Sequence, residues 1–298
     1  MRYPGYQGTV EIDARLARRL VDSQFPRWAG LPVRPVDLDG WDNRTFRLGD
    51  GLTVRLPSGD WYALQVDKEQ RWLPVLAPEL PLPVPTPVAR GVPEHGYPYP
   101  WSVHRWLDGR PALVAGMGDA TTFATDLARF LVALRRVDAT GGPAPGEHNF
   151  HRGAPVTAYG DELFAAVEAL GAEVPRDEVL TTWDEATATA WRDRPVWFHG
   201  DVALGNLLVS DGRLSAVIDF GTSGVGDPAC DVVIAWTALS GDARDAFRRT
   251  LDLDAATWAR GRGWALWKAL ISLVAALERD EDGDGHRRVV RRVLADRA

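Results

Sequence analysis

Residues 196–231, VWFHGDVALGNLLVSDGRLSAVIDFGTSGVGDPACD, contain the side chains best suited to chemistry in this chain. Asp201, Asn206 and Asp219 fall at the ends of three short apolar runs, which predict brief buried strands. Strand ends hold the backbone rigidly, so these three side chains can converge on one point. Two carboxylates and an amide oxygen are hard ligands, which suit Mg²⁺ and not zinc or copper. The segment therefore predicts a magnesium site.

The spacing of these residues narrows the chemistry. His199-Gly-Asp201 followed by Asn206 reproduces the H-x-D-x-x-x-x-N catalytic loop of protein kinases. Asp219-Phe-Gly221 reproduces the D-F-G element that holds magnesium in the same enzymes. A D-F-G triplet alone is common by chance, but the ordered pair within a strand-turn-strand segment is a strong indication of phosphoryl transfer.

The three segments HGDVALGN, VIDFG and GVGDPACD together resemble the aminoglycoside phosphotransferase family, small-molecule relatives of the protein kinases. In that family glycine replaces the arginine of the protein-kinase loop, as Gly200 does here. A short G-D-P-x-x-D segment also follows D-F-G in place of a long activation loop. The family often has His-Pro where this chain has Ala203-Leu204, which puts any substrate contact from that point in doubt.

The resemblance extends more weakly over most of the chain and implies an α+β, bilobal, protein-kinase-like fold. A small N-terminal lobe built on an antiparallel sheet, residues 1–107, would bind the nucleotide. A larger, mainly helical C-terminal lobe, residues 108–298, would carry the catalytic and substrate-binding residues.

The resemblance also implies roles for the catalytic loop. Asp201 would be the base that accepts or orients the proton of a substrate hydroxyl, while Asn206 and Asp219 would hold Mg²⁺. His199 is a candidate catalytic residue, although a role in orienting the loop by packing and a backbone hydrogen bond is favoured.

Residues after the D-F-G element are expected to support the loop. Gly221 fits the tight turn that a short loop requires, and Asp231 is expected to accept hydrogen bonds from catalytic-loop backbone. Asp227 could do the same or face the substrate. Cys230 is expected to be a small buried residue and not a nucleophile, because no histidine base is adjacent in sequence.

The N-terminal part offers candidates for nucleotide binding. Gly49-Asp-Gly51 between two apolar runs predicts a hairpin, and the turn-rich residues 39–43 precede it. Asn43 is the residue there best able to touch a phosphate or to cap the turn. Arg55 stands where the family presents a phosphate-binding basic residue, and Glu69 on the following helix could pair with it. A solvated strand arginine and a plain surface glutamate are the alternatives.

The strand predicted over residues 97–107 ends where the family has the hinge between its lobes. There the backbone groups of Arg105 and Leu107 would hydrogen-bond the adenine, so their side-chain identity matters little. The proline-rich residues 81–87, PLPVPTP, cannot be helical and resemble the link that leads into this part of the sheet.

The pattern of apolar residues in the second half of the chain predicts helices over residues 121–137, 158–171, 176–191, 232–240, 242–251 and 255–277. His148 and His151 lie in a glycine- and proline-rich loop and are expected to be solvated, because no acidic or cysteine partner is near in sequence. The acidic residues 278–284 include Glu278 and Asp280. Related enzymes hold substrate ammonium groups with acidic residues in C-terminal helices, but a solvated acidic turn is favoured here.

The composition of the chain limits the partners, the covalent cross-links and the location that can be expected for it. The chain has 298 residues and a formal charge of −7, from 34 basic and 41 acidic residues. This balance disfavours nucleic-acid binding and favours a cationic substrate. Cys230 is the single cysteine, so no intrachain disulfide can form. With no apolar leader or membrane-spanning run, a soluble cytoplasmic monomer or homodimer is expected.

The sequence thus predicts an O-phosphotransferase that uses ATP, or alternatively GTP, with Mg²⁺, and an aminoglycoside-type antibiotic as acceptor. A kinase for a sugar, an amino alcohol or a nucleoside is the second hypothesis. A nucleotide-binding regulator without turnover is the third, and the presence of Asp201, Asn206 and Asp219 argues against it. A protein kinase is disfavoured, because the segment from Asp219 to Asp227 is too short for an activation loop.

Overall fold

An antiparallel five-stranded sheet forms the first part of the fold in the computed structural model, which describes residues 11–38, 40 and 42–296. The strand order is β1-β2-β3-β5-β4, and every neighbouring pair is antiparallel. The strands are β1 Val33–Pro35, β2 Asn43–Leu48, β3 Leu52–Pro57, β4 Pro87–Gly91 and β5 Trp101–Arg105. The predicted hairpin is confirmed as β2–β3. Asp39 and Trp41 of the turn-rich loop lie outside the described residues.

The two faces of this sheet bury different partners, because successive side chains on a strand point to opposite sides. One face carries Val54 and Val103 against Leu20 of helix α1 (Ala14–Gln24), in a compact apolar cluster. The other face carries Arg55 and lies toward helix α2 (Asp60–Leu76). Gln70 of α2 donates from Nε2 to the Ser102 hydroxyl at 3.1 Å. The sheet therefore presents its polar face to α2.

The remainder is mainly helical and forms a separate, larger apolar core, so the predicted α+β class is confirmed. Its helices are α3 Ala112–Ala115, α4 Ala120–Arg136, α5 Gly160–Leu170, α6 Arg176–Thr187, α7 Ile234–Thr237, α8 Gly241–Leu251, α9 Ala255–Glu278 and α10 Asp284–Ala295. Short strands between them are β6 Arg110–Pro111, β7 Val196–Phe198, β8 Leu207–Ser210, β9 Arg213–Val217 and β10 Gly224–Gly226. No helix in the described part of the chain is long and apolar enough to cross a bilayer.

Several predicted boundaries are wrong. The strand predicted over residues 97–107 is limited to β5, because Pro98 and Pro100 lack the N–H that a ladder needs. The helix predicted over residues 176–191 ends at Thr187. The elements that were not predicted include β1, β6, α3, β4, which begins at the last proline of PLPVPTP, the glycine-rich β10, and α10 beyond the acidic residues.

Helix α9 crosses its neighbours closely through two glycines. A Cβ on Gly261 would lie 2.2 Å from the Val232 side chain, and one on Gly263 would lie 2.7 Å from Ala186 Cβ. Real Cβ atoms do not approach that closely, so both positions require glycine for packing. This approach fixes the rotation of α9 and with it the face that carries Trp264 and Lys268.

We expect Gly261→Ala to lower the free energy of unfolding by about 1–3 kcal/mol, because the added methyl group overpacks the contact with Val232. Urea denaturation of the purified protein measures this effect. Gly160→Ala is the matched control, since a Cβ there meets nothing closer than 3.7 Å and alanine has the better helix propensity. Equal stability of the two variants would contradict the proposed close crossing.

Candidate active site

Asp201 lies in the turn between β7 and β8, where two side chains hold its carboxylate. Asn206 donates from Nδ2 to Asp201 Oδ2 at 3.0 Å and to the Asp201 carbonyl at 2.9 Å. Lys268 of α9 donates from Nζ to Asp201 Oδ1 at 2.6 Å. The carboxylate is partly exposed, so it is fixed in direction and remains within reach of a ligand.

Lys268 determines the protonation state of Asp201. Burial alone would raise the pKa of Asp201, but the charge and hydrogen bond of Lys268 outweigh it and lower the pKa below its usual value. Asp201 is therefore a carboxylate across the neutral range.

His199 is fully buried and orients the turn. Its Nε2 lies 3.0 Å from the Ile218 carbonyl, and its Nδ1 accepts the Asp201 N–H at 3.2 Å. A neutral imidazole protonated at Nε2 satisfies both contacts. The ring also packs edge-on against Phe220. The structure therefore gives His199 the positioning role and leaves it no access for a catalytic one.

Asp231 makes the contact predicted from the sequence. Its Oδ2 accepts the His199 N–H at 2.9 Å, and its Oδ1 accepts the Gly200 N–H at 2.7 Å. Gly200 has φ +88°, and a Cβ there would lie 2.6 Å from the Thr222 carbonyl oxygen. Glycine is required at this point because both the backbone conformation and the space exclude a side chain.

Asp219 connects the loop to the sheet. Arg55 donates from Nη2 to Asp219 Oδ1 at 3.2 Å and from Nη1 to Glu69 Oε2 at 3.0 Å. The predicted Arg55–Glu69 pair is thus present, and Arg55 is largely buried and not solvated. Burial raises the pKa of Asp219, Arg55 opposes the rise, and Glu69 and Asp201 add to it.

Lys68 anchors helix α2 to the segment after Asp219. Its Nζ donates to the Gly221 carbonyl at 2.5 Å and to the Ser223 carbonyl at 2.9 Å, and the side chain is buried. Gly221 is required by the same packing, since a Cβ there would lie 2.2 Å from Gln65 Oε1. Burial lowers the pKa of Lys68 to about 7 although Glu69 and Asp219 oppose the change.

The oxygen atoms beside Asp201 fit a hard divalent cation. Because Asn206 Nδ2 is directed at Asp201, its Oδ1 is available on the other side, and Asp219 supplies a carboxylate. Within the described ranges, no three histidine, cysteine, aspartate or glutamate side chains could hold a metal on their own. Mg²⁺ typically takes one or two carboxylates and completes its shell with phosphate and water. The donor set therefore fits Mg²⁺ bound together with a nucleotide.

The loop before β2 adds a carboxylate that the sequence did not indicate. Burial raises the pKa of Asp42 to about 7, and the neighbouring Asp219 and Asp201 reinforce the rise. Asn43 is buried at the start of β2. This loop consequently lies close to the carboxylates of Asp201 and Asp219.

The predicted hinge contacts need one correction. The Arg105 N–H donates to the Thr86 carbonyl at 2.9 Å, so it is not available to a purine. The Arg105 carbonyl and the Leu107 backbone remain candidates for that role. His104, just before them, is buried on the face of the sheet that carries Arg55, and burial lowers its pKa well below the usual value. It was not singled out from the sequence.

A pocket opens on the side of Asp201 away from the sheet. Its lining, in chain order, is Arg152, Gly200, Asp201, Val202, Cys230, Val233, Trp264, Trp267 and Lys268. Trp264 and Trp267 of α9 contribute to this lining. Cys230 is buried, and burial raises the pKa of its thiol well above the usual value, as a structural cysteine requires.

The three other acidic residues suggested for substrate binding do not enter this pocket. Asp227 is buried, and its Oδ2 accepts from Arg260 Nε at 2.7 Å while its Oδ1 accepts the Ala229 N–H at 3.0 Å. It therefore supports the loop and cannot face a substrate. Glu278 and Asp280 are exposed at the end of α9. Glu278 lies ten residues after Lys268, which is about 15 Å along a helix.

Three basic residues at the site were missed from the sequence: Lys68, Arg152 and Lys268. One compositional signal could have indicated two of them, because only Lys68 and Lys268 among the 34 basic residues are lysines. Both contact the segment around Asp201 and Asp219. His148, which was expected to be solvated, is half-buried in the short 3-10 helix Glu147–Asn149, where its Nε2 lies 3.0 Å from the Ala144 carbonyl, whereas His151 is exposed.

We expect Lys68 to titrate near pH 7, because burial lowers its pKa to about 7. Labelling lysine with ¹³C at Cε gives two NMR signals, and Lys68→Met identifies the one from Lys68. The unfolded chain keeps this proton up to about pH 10, so the folded protein binds fewer protons between pH 7 and 10. Stability of the wild type relative to Lys68→Met should therefore rise over that interval. A Lys68 midpoint near pH 10 would contradict the expectation.

Comparison with known proteins places this geometry in a family. A family model described as "Phosphotransferase enzyme family" matches residues 33–264, which is most of the chain. No curated protein sequence gives a significant match.

Solved structures share the fold at low identity. The GDP complex of wild-type aminoglycoside 2'-phosphotransferase-IIIa has a TM-score of 0.73 at 18% identity, covering 96% of this chain and 100% of that one. The streptomycin-ATP ternary complex of APH(2")-IIa has a TM-score of 0.61 at 17% identity, covering 97% and 98%. Macrolide 2'-phosphotransferase MphH from Brachybacterium faecium has a TM-score of 0.61 at 22% identity, covering 96% and 99%. The chain therefore belongs to the phosphotransferase enzyme family and has its protein-kinase-like α+β fold.

Proposed function

We propose that this protein transfers the γ-phosphate of ATP, or of GTP, to a hydroxyl group of a small molecule. The observation that carries the proposal is the carboxylate of Asp201, held by Asn206 on one oxygen and by Lys268 on the other, beside the Arg55–Asp219 pair. A phosphotransferase needs its acceptor base and its phosphate-binding charges in one place, because the reaction depends on positioning and charge neutralisation.

On the donor side, Arg55 would bind the α- and β-phosphates, with its guanidinium fixed by Glu69. Asn206 and Asp219 would hold Mg²⁺, which supplies charge neutralisation at the phosphates when bound. The Arg105 carbonyl and the Leu107 backbone would contact the purine, and Asn43 would face the phosphates or cap its turn. Neighbouring structures solved with GDP and with ATP support nucleotide binding in this fold.

On the acceptor side, Asp201 orients the hydroxyl and receives its proton. The hydroxyl oxygen attacks the γ-phosphorus, and a new O–P bond forms. The bond from that phosphorus to the β-bridging oxygen breaks, and the nucleoside diphosphate leaves with the electron pair. The proton is then on Asp201, the phosphoryl group is on the acceptor, and the leaving group is the nucleoside diphosphate.

Two acceptor classes remain under this proposal. Neighbours solved with streptomycin, or named for action on aminoglycosides and macrolides, support an antibiotic hydroxyl. A smaller metabolite, such as a sugar, an amino alcohol or a nucleoside, is the other class. A binding protein without turnover remains the alternative if no acceptor is phosphorylated.

The test is a panel of aminoglycosides, macrolides, sugars, amino alcohols and nucleosides, each incubated with the protein and Mg-ATP or Mg-GTP. Mass spectrometry detects an added phosphate. Transfer to a metabolite and to no antibiotic would refute the antibiotic acceptor, whereas nucleotide binding without any transfer would refute the enzyme assignment.

For any acceptor found, we expect Asp201→Asn to lower kcat by at least about 100-fold, because general-base help contributes roughly 10²- to 10⁴-fold. The Kd for the nucleotide, measured by calorimetry, should change little, since Asp201 lies on the acceptor side. Asp245→Asn, at an exposed position of α8, is the matched control with the same change of side chain. Unchanged turnover in Asp201→Asn would remove Asp201 from the mechanism.

A further inference from the structure

The pocket beside Asp201 has an unexpected charge. Among the described residues that line it, Arg152 and Lys268 are cations and Asp201 is the sole carboxylate. Two further acids contact this lining from outside it: Asp231 Oδ1 accepts the Gly200 N–H at 2.7 Å, and Glu162 Oε2 accepts the indole N–H of Trp267 at 3.1 Å. The lining therefore carries an excess of one positive charge.

Lys268 does not block the hydroxyl-binding function of Asp201. Its Nζ takes one hydrogen-bonding position on Asp201 Oδ1, and a carboxylate oxygen can accept a second hydrogen bond. An ammonium group has three donors, and the contact with Asp201 uses one of them. The remaining donors of this partly exposed side chain lie next to the point where an acceptor hydroxyl must bind.

Arg152, the second cation of the lining, is held rigidly. Its Nε donates to the Gly200 carbonyl at 3.2 Å, and its Nη1 donates to the Tyr159 hydroxyl at 3.1 Å. The guanidinium also stacks on Trp264 and Trp267, with its carbon 5.2 and 5.0 Å from the ring centroids. Within the described chain, these bonds use two of its five N–H donors.

A polycationic acceptor fits this arrangement poorly. Its ammonium groups would lie beside two fixed cations, and like charges brought together in a partly dry pocket repel. The single carboxylate that could compensate them is already shared by Lys268 and Asn206. Glu278 and Asp280, the acidic residues considered as ligands for ammonium groups, lie at the far end of α9 and beyond it.

We propose that the acceptor carries an anionic group, a carboxylate or a phosphate, next to the hydroxyl that is phosphorylated. Lys268 and Arg152 bind the anion with the donors that remain, and Asp201 receives the hydroxyl. The tryptophan pair packs against the body of the molecule. That the ligand is a phosphoryl acceptor rests on the proposed function. The preference of the pocket for an anion does not depend on it.

The test uses four probes with one pyranose ring: glucose, glucosamine, glucuronate and glucose 6-phosphate. Binding is followed by the ¹³Cε signal of Lys268 and by tryptophan fluorescence, and the Lys68 signal is the internal control. We expect saturable changes at Lys268 with glucuronate or glucose 6-phosphate at a Kd about ten-fold or more below that of glucosamine. The two anionic arms show which group, carboxylate or phosphate, is the better ligand.

Variants then separate the pocket from general charge effects. Lys268→Glu should reverse the order of glucuronate and glucosamine in the fluorescence assay. Arg288→Glu changes the net charge equally at an exposed position of α10 and should leave the order unchanged. The proposal is overturned by tighter or equal binding of glucosamine to the wild type, by an unchanged order in Lys268→Glu, or by no binding of any probe at its highest soluble concentration.

This experiment needs no nucleotide, so its failure is distinct from failure of the proposed function. Anion binding at Lys268 without phosphate transfer to any acceptor would contradict the phosphotransferase and leave the charge preference in place. Phosphate transfer to a polycation together with no binding of the anionic probes would do the reverse.

Discussion

The Arg55 guanidinium is the charge on which the geometry of the donor side depends. It joins Glu69 on helix α2 to Asp219, 164 residues later in the chain than Arg55. A fork with five fixed donors can satisfy two carboxylates at once, so one side chain aligns the sheet, the helix and the turn after β9. The Lys68 contacts with Gly221 and Ser223 hold the same helix to the same turn. Donor-side geometry therefore follows from two buried cations on adjacent elements.

The choice of lysine at two points has a physical reason. At Lys68 a compact ammonium contacts two carbonyl oxygens of one tight turn, where a planar guanidinium would need more width. At Lys268 the ammonium contacts Asp201 and keeps donors for a ligand. All other basic residues are arginines. A chain that otherwise uses arginine has lysine at the two positions where a small cation with rotatable donors is required.

Local spacing explains what could be predicted from the sequence. Asp201 and Asn206 lie in one short loop, and Asp231 follows the short segment after D-F-G. Their spacing along the sequence therefore predicts that the three residues lie close together. The Arg55–Glu69 pair followed from the resemblance to the family. Lys268 and Arg152 could not be found in this way. Helix α9 is buried on most of its surface, so its periodicity does not show which residue reaches Asp201.

Long-range partners also decided between alternatives that the sequence left open. Asp227 could support the loop or face the substrate, and Arg260, 33 residues later, takes its carboxylate into a buried pair. Residues 278–284 could hold ammonium groups or be solvated, and the length of α9 carries them past the pocket. In both cases the side chain types were read correctly, but their roles depended on where a distant helix packs.

Lys268 affects both the kind of acceptor that can bind and the basicity of Asp201. By keeping Asp201 ionised with a lowered pKa, Lys268 also makes it a weak proton acceptor, since basicity falls with pKa. A weak base suits a loose phosphoryl-transfer transition state, in which the attacking oxygen gains little bonding before the leaving group departs. Under the proposed function, Asp201 would first orient the hydroxyl and would take the proton late. An anion bound by Lys268 would draw part of its charge away from Asp201, which raises the basicity of the carboxylate when the correct acceptor is present.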